Sequence, residues 1–262
     1  MKTILITGAT DGLGKAVAFE LANQGHALLL HGRSPQKGEA LLEEISTVSG
    51  NRKVVYYNAD FSEMAQIRNM ADQILAHHER LDVLINNAGL GVEPQRSESR
   101  DGLERIFQVN YLATYMISKL LLPLLVKSAP SRIVNVASAG QAPIDYADPM
   151  MEKTYSGMQA YCQAKLAQIS LTVEMAPQLK EKDVTVNALH PATYLPTKIV
   201  SNPLSKMEVG VNAVCKLAIA EEMADTTGKY FFETREDRAL EQAYDANERK
   251  KLMALSFELT GI

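Results

Sequence analysis

The sequence predicts a doubly wound α/β fold, a seven-stranded parallel sheet flanked by helices on both faces. Three observations carry this. Short apolar runs alternate with longer amphipathic ones along the whole chain. Several apolar runs are continuous Val/Ile/Leu rather than alternating, as strands covered on both faces require. A glycine-rich turn, Thr7-Gly8-Ala9-Thr10-Asp11-Gly12-Leu13-Gly14, follows the first run and opens a helical pattern.

The strand-like runs are Lys2–Thr7, Ala27–His31, Lys53–Tyr57, Leu81–Asn86, Arg132–Ser138, Asp183–Leu189 and Lys229–Phe232. Between them, helical periodicity covers Gly14–Gln24, Pro35–Val48, Met64–Ala76, Leu103–Leu125, Ala160–Leu179 and Met207–Glu222. A last amphipathic stretch, Arg238–Leu259, predicts a helix closing over the core. No linker or repeat interrupts the rhythm, so residues 1–262 are expected to form one domain. Two stretches escape it: Ala139–Met158, with two prolines, and the segment from Pro191 to about residue 210. Long loops at the carboxyl ends of parallel strands are where such sheets hold ligands, so both are candidate substrate walls.

Composition narrows the function classes. With 27 Lys plus Arg against 31 Asp plus Glu there is no basic excess to hold nucleic acid. Two cysteines, Cys162 and Cys215, make neither a disulfide framework nor a zinc site, and the histidines lack metal-ligand spacing. The greasy stretch from Tyr111 to Val126 is broken by Lys119 and Pro123, too short and too polar to span a bilayer. A cytoplasmic location and no membrane partner are the resulting expectations.

The glycine turn has a physical reading. Gly8 permits a sharp turn, Gly12 admits a pyrophosphate against the backbone, and Gly14 lets helix pack on strand. The helix amino terminus then presents free N–H groups and a positive dipole end. Further along, Tyr161 and Lys165 lie four apart on one helical face, where an ammonium favours the phenolate of a tyrosine. Ser138 ends the Ile133–Ala137 strand, Asn110 lies inside the long helical stretch, and Asn86-Asn87-Ala88-Gly89 closes the fourth strand. Tyr155 is a rival to Tyr161, but four residues on stands Gln159 rather than Lys.

With these residues in this order, and with Asn187-Ala188-Leu189-His190-Pro191, the chain resembles the short-chain dehydrogenase/reductase family over nearly its whole length. The stretch Ala160-Tyr161-Cys162-Gln163-Ala164-Lys165-Leu166-Ala167, the wide separation of Ser138 from Tyr161 and the ending Arg249 to Ile262 are similar to the retinol dehydrogenase-like branch. The resemblance implies a Rossmann-type domain and hydride transfer between a nicotinamide and a carbonyl or alcohol substrate. It implies that Tyr161 is the general acid/base, that Lys165 lowers its pKa and holds the ribose, that Ser138 orients the substrate oxygen, and that Asn110 supports a proton relay. It further implies cofactor contacts from Gly8, Thr10, Asp11, Gly12, Leu13, Gly14, Asp60, Phe61, Asn87, Ala88, Gly89, Pro191 and Thr193, and pairing into homodimers or homotetramers through the Leu103–Leu125 and Ala160–Leu179 helices. Ala192 and Thr197 depart from the family pattern beside the nicotinamide.

After the second strand the chain reads His31-Gly32-Arg33-Ser34, with no carboxylate for a ribose 2′-OH. Arg33 offers a planar fork for a 2′-phosphate and Ser34 a hydroxyl, which favours NADP(H) over NAD(H). Asp11 is the objection to that preference. Met150, Met151 and Met158, with Tyr146 and Tyr155, suit either an apolar substrate pocket or packing of the loop on its own domain. A cofactor-binding redox sensor without turnover is the alternative function, and an intact Asn110, Ser138, Tyr161 and Lys165 argue against it.

Overall fold

The computed structural model describes residues 1–196 and 202–262. The parallel strands are β1 (Thr3–Ile6), β2 (Ala27–Gly32), β3 (Val54–Asn58), β4 (Val83–Asn86), β5 (Ser131–Val136), β6 (Val184–His190) and β7 (Tyr230–Phe232). The helices are α1 (Gly12–Asn23), α2 (Pro35–Ser49), α3 (Met64–His77), α4 (Arg105–Phe107), α5 (Ala113–Leu120), α6 (Leu122–Lys127), α7 (Gly157–Lys180), α8 (Met207–Ile219) and α9 (Ala246–Thr260). The sheet order is β3-β2-β1-β4-β5-β6-β7, with an eighth strand, β8 (Arg235–Asp237), antiparallel to β7. Seven strands were expected and the described sheet has eight. β8 reads Arg-Glu-Asp and is wholly exposed, so no apolar pattern marks it. Hairpin pairing with β7 and the Lys229–Glu236 ion pair at 2.7 Å define it instead.

Side chains of adjacent residues leave a strand on opposite faces, so the continuous apolar runs feed two cores. Ile4, Ile6, Leu28, Leu30, Val83, Ile85 and Val134 pack with Val17 and Leu21 of α1, Leu41 of α2 and Val214 of α8. Leu5, Leu29, Leu84, Ile133 and Val186 pack on the other face with α3, α5 and α7. Chain direction around the sheet reverses between β1 and its neighbours β2 and β4, which opens a crevice at their carboxyl ends.

The single helix expected over Leu103–Leu125 is broken twice. Gln108–Leu112 winds as a π-helical turn between α4 and α5, and the chain kinks at Leu121, where Pro123 in the first turn of α6 lacks the N–H to continue the ladder. The terminal helix is shorter than expected: residues 238–245 form β8's exit and a 3-10 turn, and Asp245 caps α9 by accepting from Asn247 and Glu248. α9 lies across α5 and α7, with Tyr111 bonded to Ser256 at 2.6 Å, the Tyr115 hydroxyl donating to the Ile262 carbonyl at 2.5 Å, and Arg249 paired with Glu174 at 2.9 Å. Those positions of the two helices expected to pair with another copy are thus covered from within the chain. Among the described residues no helix is long and apolar enough to cross a membrane.

Candidate active site

The glycine turn sits in the crevice between β1 and β4, held by side chains from both sides. Asn87 and Ala88 donate their backbone N–H to the Thr7 hydroxyl at 2.9 and 3.0 Å, and the Asn87 amide donates to the Thr7 and Gly8 carbonyls at 2.9 and 3.2 Å. A Cβ on Gly14 would lie 2.3 Å from the Gly8 oxygen, and Gly8 itself holds φ +67° against Ala88, so both positions require glycine. Asp11 caps α1, accepting from Gly12 N–H at 2.9 Å, while Lys15 pairs with Glu44 at 2.6 Å. Thr10 packs over Gly32, at the exit of β2, and Leu13 is buried in the core beside Leu195 and Gly210.

His31, near the end of β2, lies buried beneath this turn. Its Nδ1 accepts the Gly8 N–H at 3.2 Å, its Nε2 donates to the Ala59 carbonyl at 3.0 Å, and its ring stacks on Phe61 at 4.0 Å. Burial lowers its pKa to about 4, so it is neutral and the two contacts fix its tautomer. Phe61 is therefore buried under the loop through its ring. Asp60 accepts from the Ser62 N–H and hydroxyl at 2.9 and 2.8 Å. Burial works against its charge, but those bonds with the fields of Arg33 and Arg100 outweigh it and hold the carboxyl below its usual range. Arg33 is exposed at the end of β2, and Ser34 caps α2 by accepting from Lys37 N–H at 3.4 Å.

At the carboxyl ends of β4, β5 and β6 the four expected catalytic residues come together. Ser138 follows β5, its hydroxyl accepts the Gly140 N–H at 3.0 Å, and it borders Gly140 together with the Tyr161 ring. The Tyr230 hydroxyl donates to the Ser138 carbonyl at 3.0 Å and fixes its backbone. Burial raises the Tyr161 pKa, and the neighbouring Ser138 hydroxyl opposes that rise. One turn along α7, the Lys165 Nζ lies 5.8 Å from the Tyr161 ring centre and donates to the Val136 carbonyl at 2.9 Å. Lys165 is 5% exposed, and desolvation lowers its pKa to about 7. Asn110, in the π-helical turn, accepts the Leu90 N–H at 2.6 Å and donates to the Leu90 carbonyl at 3.0 Å, which sets the loop after β4 with Gly89 against both Asn110 and Lys165.

At the end of β6, His190 bonds Thr193 at 3.1 Å and packs on Phe232, and Pro191 and Ala192 beyond it are buried. Burial and the Lys165 charge lower the His190 pKa to about 4. Thr197 and part of the second candidate substrate wall lie outside the described residues. In the first wall, Met150 and Met151 are buried in the core, Tyr146 donates to the Glu248 carbonyl at 2.8 Å and Tyr155 to the Glu93 carbonyl at 3.3 Å. Only Met158, 58% exposed and three residues before Tyr161, keeps the apolar-pocket reading. Loop packing accounts for the other four.

A glycine-built turn at a helix amino terminus, beside a Ser–Tyr–Lys cluster, is the site of an α/β oxidoreductase that uses a dinucleotide. Residues 2–208 match the short chain dehydrogenase family, so the chain belongs to that family. It is 35% identical to Retinol dehydrogenase 13 of Homo sapiens over 286 aligned positions, covering 100% of this chain and 85% of that protein. Retinol dehydrogenase 12 of Homo sapiens is 34% identical, covering 100% of this chain and 87% of that protein. An uncharacterised protein of Mycobacterium paratuberculosis shares the fold with a TM-score of 0.80 at 26% identity, covering 100% of this chain and 94% of that one. The chain falls in the retinol dehydrogenase-like branch and is an oxidoreductase acting on CH–OH donors with a nicotinamide cofactor.

Proposed function

We propose that the protein interconverts an apolar alcohol and its carbonyl with NADP(H), NAD(H) being the disfavoured carrier. The observation that carries the reading is the convergence of Ser138, Tyr161 and Lys165 where β5 ends and α7 begins, with Gly89 of the loop after β4 against Lys165. The retinol dehydrogenases it resembles bear the name of an apolar alcohol, and the exposed Met158 one turn before Tyr161 gives this chain an apolar rim of its own.

The glycine turn and the amino end of α1 hold the cofactor phosphates, Thr10, Asp11 and Leu13 flank them, and Arg33 with Ser34 holds the 2′-phosphate. Asp60, Phe61 and Asn87–Gly89 border the adenosine, and Pro191 and Thr193 the nicotinamide. When bound, the nicotinamide gives or takes the hydride. Tyr161 gives its proton to the carbonyl oxygen in reduction and takes the alcohol proton in oxidation. Ser138 donates to the same oxygen as charge develops on it. The Lys165 ammonium stabilises the phenolate of Tyr161 and offers the ribose an N–H. Asn110 holds the π-helical turn and the Leu90 loop in place behind them.

The test is Tyr161→Phe, assayed with NADPH and a panel of apolar aldehydes and ketones. Turnover is expected to fall by about 10²–10⁴, the usual contribution of a general acid, with NADPH affinity retained. A redox sensor would bind NADPH and show no turnover in the wild type; a Tyr161→Phe enzyme at full rate overturns the assignment.

A further inference from the structure

Lys165 carries more partners than the reaction uses. Its Nζ donates to the Val136 carbonyl at 2.9 Å and to Gln168 Oε1 at 3.0 Å. The Gln168 Nε2 donates to the Thr114 hydroxyl at 2.9 Å, and Thr114 donates to the Asn110 carbonyl at 3.0 Å. Gln168 is fully buried and Thr114 is 3% exposed. The direction of every bond is forced. A carbonyl only accepts, so the Thr114 hydroxyl must donate to Asn110 and take its own hydrogen bond from an amide N–H. Gln168 is therefore unable to flip, and its oxygen is the atom that faces the ammonium.

We propose that Gln168 and Thr114 are positioning residues: together they present a fixed amide oxygen to Lys165, keep its ammonium charged inside the protein, and leave its third N–H as the one aimed toward Tyr161 and the ribose. This rests on the reading of Tyr161 and Lys165 given above. Two N–H groups of an ammonium are spent on Val136 and Gln168, so only one remains. Among the described residues, the titratable groups around Lys165 are Tyr161 on its own helix and His190 from β6, which is neutral above about pH 4. From β5 and the π-helical turn it meets the Val136 carbonyl and, through Gln168, Thr114 and Asn110, none of which titrates. No carboxylate is bonded to it among the described residues, so the oriented Gln168 dipole has to supply what a counter-ion supplies elsewhere.

The test compares Thr114→Val, nearly isosteric but without the hydroxyl, with Thr114→Ser, which keeps it, and with Gln168→Met. The readout is the Lys165 titration followed by NMR in protein carrying 13Cε-lysine, with the resonance assigned through Lys165→Met. In Thr114→Val and Gln168→Met the Lys165 midpoint is expected to fall by about one unit, as loss of a hydrogen bond to the charged form requires, while Thr114→Ser stays at the wild-type value. The rising limb of alcohol oxidation against pH should move upward in the same two variants, because Tyr161 loses the field that stabilises its phenolate. Wild-type midpoints in Thr114→Val overturn the proposal, and if Gln168→Met does not fold Thr114→Val decides alone. The NMR titration needs no turnover, so a failure of the catalytic reading, seen as a fully active Tyr161→Phe, is separable from a failure here.

Discussion

The imidazole of His31 accepts the backbone N–H of Gly8 at 3.2 Å while donating to Ala59 on its other side, so a neutral, fully buried histidine holds the first glycine of the glycine turn. The proton it lacks makes the fold sensitive to acid. Its pKa is about 4 in the fold against 6.5 in a free chain, so the unfolded state binds a proton that the folded state refuses. Stability is therefore whole above about pH 6.5 and declines as pH falls toward 4. The full shift corresponds to about 3 kcal/mol. His190, also near 4, adds to the same acid limb. Thermal unfolding measured from pH 7.5 to pH 4 should show this decline, and His31→Gln, whose amide can serve both Gly8 and Ala59 without titrating, should remove about half of it. An unchanged acid limb in His31→Gln would mean that other groups control the response.

The proposed preference for NADP(H) rests on Arg33, which is exposed and close enough to Asp60 to act on its carboxyl. Arg33→Ala is expected to weaken NADPH by about ten- to a hundred-fold, the worth of a hydrogen bond to a charged group, and to leave NADH within about two-fold because it has no 2′-phosphate to lose. Reduced-nicotinamide fluorescence is the measurement, and with 0 Trp in the chain the protein contributes little emission. Equal losses for both cofactors would place Arg33 on the adenine or ribose, and a wild-type preference for NADH would shift the ribose contact to a carboxylate such as Asp11.

How far the sequence could be read depended on whether an interaction was local. Tyr161 and Lys165 share a helical face and the glycine turn is continuous in the chain, so both stood out as candidates. The company of Asn86–Gly89, Asn110 and Ser138 in order is what made them a site. The Gln168 contact was within reach of the same logic, since it lies three residues after Lys165 on α7. His31 was not: its partners Gly8, Ala59 and Phe61 come from three separate segments, and nothing in His31-Gly32-Arg33-Ser34 announces them. The π-helical turn hid for another reason. An apolar, helix-favouring run from Leu103 to Leu125 reads as regular helix, and only the pull of Leu90 on the Asn110 side chain shows where the winding widens. β8 escaped because an exposed three-residue edge buries nothing that could leave a pattern.

The same contrast explains what holds the first substrate wall. Its prolines and glycine marked it as a loop, yet it is bound along one side by the segment leading into α9. Gln242 accepts the Ile144 N–H at 2.7 Å and donates to the Ile144 carbonyl at 3.2 Å, a side chain pairing with backbone as a neighbouring strand would. Gln141 accepts the Leu240 N–H at 2.9 Å and donates to the Ser138 carbonyl at 3.3 Å, linking that clasp to Ser138, the residue proposed to orient the substrate oxygen. Gln242→Ala strips both partners from Ile144 without touching the glycine turn. Substrate KM is expected to rise by about five- to ten-fold, the cost of one to two net hydrogen bonds spent on holding the wall, with NADPH affinity within about two-fold of wild type. Amide exchange at Ile144 should quicken in parallel, because the N–H that Gln242 protects becomes open to water. Faster exchange with an unchanged KM would show that the wall moves without shaping the substrate site. Unchanged exchange would show that Tyr146 on Glu248 and Gln141 on Leu240 are enough to hold it.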